Sequence, residues 1–230
     1  MVDNLGQSFD HLGQRGNPMT LHIRSAALSN YAELASSLGL NPARMLRRVG
    51  LPRHCLESAD LRVPAEAVLQ LLELSAQESG EEAFGLRLAE TRRLSTLGLV
   101  GMAARDEPNL REAMNTLVRH GWQHNESLVS RLEESNGVAV LTQQVMQAAA
   151  AGRQSVELAA GATYRILQIV LGTDWSARAV SFMHPPPARL DVHRRLFGRS
   201  VRFSQDFNGI VLRSADLDTP MAMADPVMRG

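Results

Sequence analysis

The chain has 230 residues and a mass of 25.2 kDa, enough for one large domain or two small ones with a proper hydrophobic core. Hydrophobic residues make up 44% and charged residues 21%, which excludes both a disordered polymer and a membrane-spanning bundle. Lys and Arg together number 24, as do Asp and Glu, so the positive excess of a protein that embraces phosphate backbones unaided is missing.

Residues 1 to 20 are polar and without periodicity and read as a flexible tail. From Ser25, the residues Leu28, Tyr31, Leu34, Ala35 and Leu38 recur at helical spacing, and Gly39 ends the run, which predicts a first helix. Asn41-Pro42 places a capping side chain before a proline, so Ala43 to Val49 forms a short second helix. Pro64 to Ser79, with Val68, Leu69, Leu72 and Leu74, predicts a third helix opened by its proline. Phe84, Leu86 and Leu88 mark another short helical or irregular stretch, and Ser95 is placed to cap a helix carrying Leu97, Leu99, Val100 and Met102. The cleanest stripe follows: Asp106 as cap, Pro108 early in the helix, then Leu110, Ala113, Met114, Leu117 and Val118.

After Gly121 the period changes. Leu128 to Glu133 and Val138 to Gln143 flank Asn136-Gly137, the strongest short-range signal for a hairpin. Residues 154 to 171 return to a helical period with small residues that allow close packing, ended by Gly172. Ala177 to Met183 predicts a strand stopped by Pro185, Pro186 and Pro187, and Leu190 to Phe197 a short helix. Val201 to Phe203 and Ile210 to Leu212 read as short strands separated by an Asn208-Gly209 turn. Helices dominate the first 120 residues and strands interleave with helices in the rest, so the expected class is α+β, helix-rich with a small, mostly antiparallel sheet.

Composition by type narrows the chemistry. Every basic residue is arginine. Without lysine there is neither a Walker-type phosphate loop nor Schiff-base or pyridoxal catalysis. The single Cys55 makes no internal disulfide and no multi-thiolate zinc site, which fits a reducing compartment. The N-terminal stretch with Asp3, Asn4, Gln7 and Asp10 lacks the basic-then-apolar pattern of a secretory signal, and the expected location is the cytoplasm, with no membrane partner. No nucleophile elbow, zinc-protease motif, Gly-rich dinucleotide turn or calcium loop is present, so no catalytic residue, metal or cofactor is expected.

Candidate binding residues come from the polar and aromatic groups near the strongest apolar faces. His120 and His124 are four apart, but Gly121 lies between them and two histidines without a third ligand do not make a metal site. His120, Trp122 and His124 instead leave the end of the clean helix where they could line a pocket mouth and contact an effector; the alternative is a structural role. Tyr164 in the long helix and Tyr31 in the first are either ligand contacts or core rings whose hydroxyls find a backbone partner. His184, before the prolines, reads as a structural residue at a strand exit. Arg44, Arg47 and Arg48 on one short helix, and Arg92 and Arg93 on a loop, could receive an anionic effector, although charge runs default to solvated faces.

In the C-terminal third the order of motifs is informative. Phe182-Met183-His184 with three prolines, Phe197-Gly198 with Val201-Arg202-Phe203, Phe207-Asn208-Gly209 with Ile210-Val211-Leu212, and Leu217-Asp218-Thr219-Pro220 together resemble the arabinose-binding-like regulatory domain found at the N-terminus of AraC-type bacterial transcription regulators. Leu40-Asn41-Pro42, Gly50-Leu51-Pro52 and Phe84-Gly85-Leu86 extend the resemblance over roughly residues 25 to 220. It implies a domain that binds a small-molecule effector or dimerises, while a C-terminal domain with two helix-turn-helix motifs reads DNA. Only ten residues follow Pro220, too few for such a unit, so residues 21 to 220 are expected to be the regulatory domain and 221 to 230 the start of a linker to a DNA-binding domain outside this sequence. The leading expectation is a ligand-sensing regulatory domain that forms a homodimer. A scaffold that only dimerises is the first alternative, and an enzyme or carrier with an unrecognised site the second.

Overall fold

A computed structural model describes residues 20–146 and 152–221. The chain begins with strand β1 (His22–Arg24), a 3-10 turn (Ser25–Leu28), and helices α1 (Tyr31–Ser37) and α2 (Pro42–Arg48). Strand β2 (Arg62–Pro64) pairs antiparallel with β1 and leads into α3 (Ala65–Ser79) and α4 (Phe84–Ala89). Then come α5 (Leu99–Arg105), α6 (Leu110–His120), the hairpin β3 (Leu128–Ser135) and β4 (Val138–Val145), and the long α7 (Arg153–Leu171). Strand β5 (Ala179–Ser181), α8 (Asp191–Phe197), β6 (Val201–Arg202) and β7 (Gly209–Arg213) complete the described chain. The larger sheet has the order β3-β4-β7-β5-β6, antiparallel except for β5 against β6. The α+β class and the predominance of antiparallel pairing agree with the sequence reading.

Local chemistry accounts for the elements and for the departures. The first predicted helix is two pieces, because Asn30 takes a left-handed φ of 60° between the 3-10 turn and α1. Asn41 caps α2 as expected, its side chain accepting the backbone N–H of Arg44. Pro64 stands at the N-terminal boundary of α3 as expected, and it also ends β2, which periodicity over so short a run could not reveal. Ser95 is no cap: it lies inside a 3-10 turn (Leu94–Leu97), and α5 starts after Gly98. Asp106 is the C-terminal boundary of α5, and the cap of α6 is Asn109, whose Oδ1 takes the N–H of Glu112 at 3.0 Å. Between β3 and β4 the turn residues Asn136 and Gly137 have φ of 51° and 75°, the geometry a two-residue hairpin needs. The two C-terminal strands are not a hairpin of their own, since β5 lies between β6 and β7. The expected N-terminal tail, apart from residue 20, and the expected linker beyond residue 221 lie outside the described residues.

Two hydrophobic cores result. One contains Ile23, Leu28, Tyr31, Leu46 and Leu71 with Phe84 and Leu88 of α4. The other packs α6 and α7 on the sheet through Met114, Leu141, Tyr164, Phe182 and Phe197, with Leu86 and Ala89 of α4. Helix α4 therefore faces both, and α7 lies directly against it. The contact is tight: a Cβ on Gly85 would sit 2.0 Å from the Gln154 carbonyl oxygen, and one on Gly161 would sit 2.7 Å from the Ala89 Cβ.

Gly85→Ala is therefore expected to push the two helices apart, at about 2 kcal/mol, lowering the thermal midpoint by roughly 5 °C. Gly121→Ala, where an added Cβ meets nothing within 4 Å, is the control and leaves the midpoint in place. Calorimetry on the two variants reads the difference.

Candidate ligand-binding site

Residues of both cores line a cavity of about 160 Å³. Helix α3 contributes Val68, Leu69 and Leu72, and α6 contributes Met114, Leu117 and Val118. The floor is the core-facing side of β4, Leu141, Gln143 and Val145, which alternation along the strand points inward. The α7 wall is Ser155, Ala159, Ala162, Thr163 and Ile166, one face of the helix at i, i+4, i+7, i+8 and i+11. An engineered apolar cavity of about 150 Å³ stays dry and binds benzene, so this volume suits a small organic molecule.

Several polar groups interrupt the apolar lining, and Gln143, Arg92 and His124 are the ones whose partners define its chemistry. Gln143 is 8% exposed; its Nε2 donates to Thr163 Oγ1 at 3.0 Å, while its Oε1 is buried with no partner among the described residues. A buried acceptor left unmade is costly. Arg92, just after α4, is 5% exposed, and its terminal nitrogens donate to the carbonyls of Ala26 at 3.0 Å and Ala27 at 2.5 Å. Burial lowers its pKa to about 10. His124 sits in the loop that hydrogen-bonds to β1: its carbonyl accepts the N–H of Arg24, and the N–H of Glu126 donates to the His22 carbonyl. The Arg24 guanidinium lies 3.3 Å from His124 Nδ1, and because a guanidinium only donates, that nitrogen accepts and the ring is neutral. Desolvation, reinforced by Arg24, Arg92 and Arg62, holds the His124 pKa down to about 4.

Of the residues singled out in the sequence, His124, Arg92 and Arg93 line the cavity. His120 ends α6 on the surface, and Trp122 is 57% exposed in the 3-10 turn that follows. Tyr164 is in the second core against Trp175 and Phe197, with ring centroids 5.4 and 5.0 Å away. Tyr31 is in the first core, its hydroxyl 2.9 Å from Ser75 Oγ. Arg92 is not on a solvated face, whereas Arg93 is exposed. Gln143 was missed, although it continues at every second residue the inward alternation of Ala139 and Leu141. Among the described residues no group of three or more His, Cys, Asp or Glu is placed to hold a metal, and no helix is long and apolar enough to cross a membrane.

The opposite side of α7 carries a different polar cluster. Glu157 is fully buried, with its Oε1 2.8 Å from His193 Nε2 of α8, 3.5 Å from His184 Nε2 and 3.8 Å from Arg153 Nε. His184 also stacks on Phe182 at 5.0 Å. These contacts tie α7 to α8 and to the strand exit after β5, away from the cavity.

Fold and cavity together define a class: a helix-rich α+β domain whose two cores enclose an apolar chamber with a few fixed polar groups. The family profile described as the arabinose-binding domain at the N-terminus of AraC transcription regulators matches residues 39–221, and the chain belongs to that family. Among curated proteins it is 28% identical over 207 residues to the HTH-type transcriptional regulator VirS of Mycobacterium tuberculosis, covering 89% of this chain and 61% of that protein. It is 25% identical over 197 residues to the ornithine utilization regulator of Pseudomonas aeruginosa, covering 84% and 58%. The chain thus spans about three fifths of the length of these relatives. The crystal structure of transcriptional regulator CdpR from Pseudomonas aeruginosa shares the fold, with a TM-score of 0.58 at 16% identity, over 80% of this chain and 56% of that one.

A pH dependence follows from His124. Its folded pKa near 4 lies under the ordinary 6.5, so between these values the unfolded chain binds more protons and stability falls as pH falls. Between pH 7.5 and 5 this one group is expected to remove about 2 kcal/mol. Urea unfolding at the two pH values checks it: His124→Gln should lose about that much less than the unsubstituted protein.

Proposed function

We propose that this chain is the ligand-sensing domain of a cytoplasmic AraC-type transcription regulator, with residues 21 to 220 as the sensing unit. The observation that carries this reading is Gln143 Oε1, unpartnered among the described residues, on the floor of an apolar cavity, a preset polar contact of the kind ligand sites use to fix orientation. Family membership supports the rest: the output is promoter binding by a C-terminal helix-turn-helix domain, controlled by occupancy of the cavity. Such control needs a ligand with unequal affinity for two arrangements of the domain. The acting form is a homodimer. Leu99 and Met102, exposed together on α5 at 78% and 52%, support an association surface, and sedimentation of the chain tests it.

Ala159→Trp would fill the cavity from the α7 wall without touching the Glu157 cluster. In a thermal-shift screen of small apolar metabolites, at least one compound is expected to raise the midpoint of the unsubstituted chain, since a ligand at a hundred times its Kd adds about 2.7 kcal/mol. The same compound should leave Ala159→Trp unmoved. A screen in which nothing shifts the unsubstituted chain would favour a scaffold that only dimerises.

A further inference from the structure

The charges around the cavity are unevenly matched. Arg24 pairs with Asp60, and Arg62 pairs with Glu126, whose carboxylate also accepts the His22 N–H at 2.6 Å. His124 is neutral. Arg92 has no carboxylate partner among the described residues, although it is the most deeply buried of these cations. A guanidinium carries five N–H donors. Two nitrogens of Arg92 each give one to the carbonyls of Ala26 and Ala27, and no described acceptor takes the remaining three.

A buried cation held only by neutral carbonyls keeps most of its desolvation penalty, and a carboxylate arriving beside it would relieve that penalty through charge-assisted bonds. Around this cation the lining is largely aliphatic: Ile23, Ala27, Leu72, Val100 and Leu117. Building on the ligand-binding reading of the cavity, we propose that its ligand is a small apolar monocarboxylate, with the anionic head held by Arg92 and the hydrocarbon body enclosed by α3, α6 and α7. Gln143 Oε1, on the β4 floor, accepts from a hydroxyl or amide donor where the ligand carries one. Arg93 also borders the cavity with no carboxylate partner among the described residues, but it is exposed and stays hydrated, so Arg92 is the cation that gains most from a ligand carboxylate.

The test is calorimetric titration of the 230-residue chain with benzoate and octanoate, with their primary amides, and with octan-1-ol. The expected result is that at least one acid binds about tenfold or more tightly than its amide, the ratio of a charge-assisted to a neutral contact. Ala159→Trp should abolish that binding. Arg92→Gln should equalise acid and amide, while Arg92→Lys, which keeps the charge, retains a preference for the acid; circular dichroism confirms that each variant folds. Equal binding of acid and amide by the unsubstituted chain overturns the carboxylate assignment and leaves the cavity a neutral-ligand site. An acid preference that survives Arg92→Gln or Ala159→Trp overturns it too, by placing the anion elsewhere. If none of the five probes binds, the monocarboxylate assignment fails, and the metabolite screen decides the ligand-binding reading separately.

Discussion

The close approach of α4 and α7 is the constraint on which the other features depend. Helix α4 spans only Phe84–Ala89, yet alternate residues serve different cores: Phe84 and Leu88 face one, Leu86 and Ala89 the other. A six-residue helix has little stability of its own. It persists because α7 lies against it without intervening side chains at Gly85 and Gly161, and because the Gln154 side chain accepts the Gly85 N–H at 2.8 Å while donating to the Glu82 carbonyl at 2.9 Å. The N-terminus of α7 is fixed in turn by Glu73 of α3, whose carboxylate accepts the Gln154 N–H at 2.7 Å near the positive end of the helix dipole. Helices α4 and α7 are thus held by close backbone approach, and α3 is tied to α7 by the Glu73 carboxylate.

The cavity lies beside that contact, walled by α3, α6, α7 and β4, with no residue of α4 in its lining. Arg92, just after α4, closes one corner by reaching back to the carbonyls of Ala26 and Ala27. Nearby, β1 fixes the His124 loop by backbone bonding, and the same strand delivers Arg24 to the imidazole. The electrostatic character of the chamber is therefore a by-product of how its edges are tied. Apolar walls come from helix faces, and positive charge comes from the residues that end them.

Local signals were legible where chemistry within a few residues decides the outcome. The Asn136-Gly137 turn, the Asn41 cap and the stripe of α6 from Leu110 to Val118 are of that kind. The strand pair β1–β2 was not legible, because three-residue strands carry no period and their partners lie 40 residues apart. The aromatic and imidazole candidates were chosen by type, but burial is decided by long-range packing: Tyr31 and Tyr164 went to the cores and Trp122 to the surface. His124 reaches the cavity because α6 ends at His120 and a 3-10 turn redirects the chain, a break that Gly121 foreshadows. Gln143 was readable in principle, since strand alternation alone places it inward.

Helix α6 joins the cavity to the last described residues. Its Met114, Leu117 and Val118 are cavity wall, and its N-terminal residue Leu110 donates its backbone N–H to the Thr219 carbonyl at 2.9 Å, while the N–H of Met221 bonds to the Pro108 carbonyl. Arg111 also bridges Glu134 of the hairpin and Asp218. Spatial continuity of this kind becomes coupling only where the helix has two arrangements that a ligand distinguishes. The energy required is small. A tenfold change in affinity between arrangements corresponds to about 1.4 kcal/mol, and full burial of a leucine side chain is worth about 2 kcal/mol. Leu117 is only partly buried in the cavity wall, so the extent to which the proposed ligand would cover it is of the right size to bias the position of α6, and with it the segment from Asp218 to Met221.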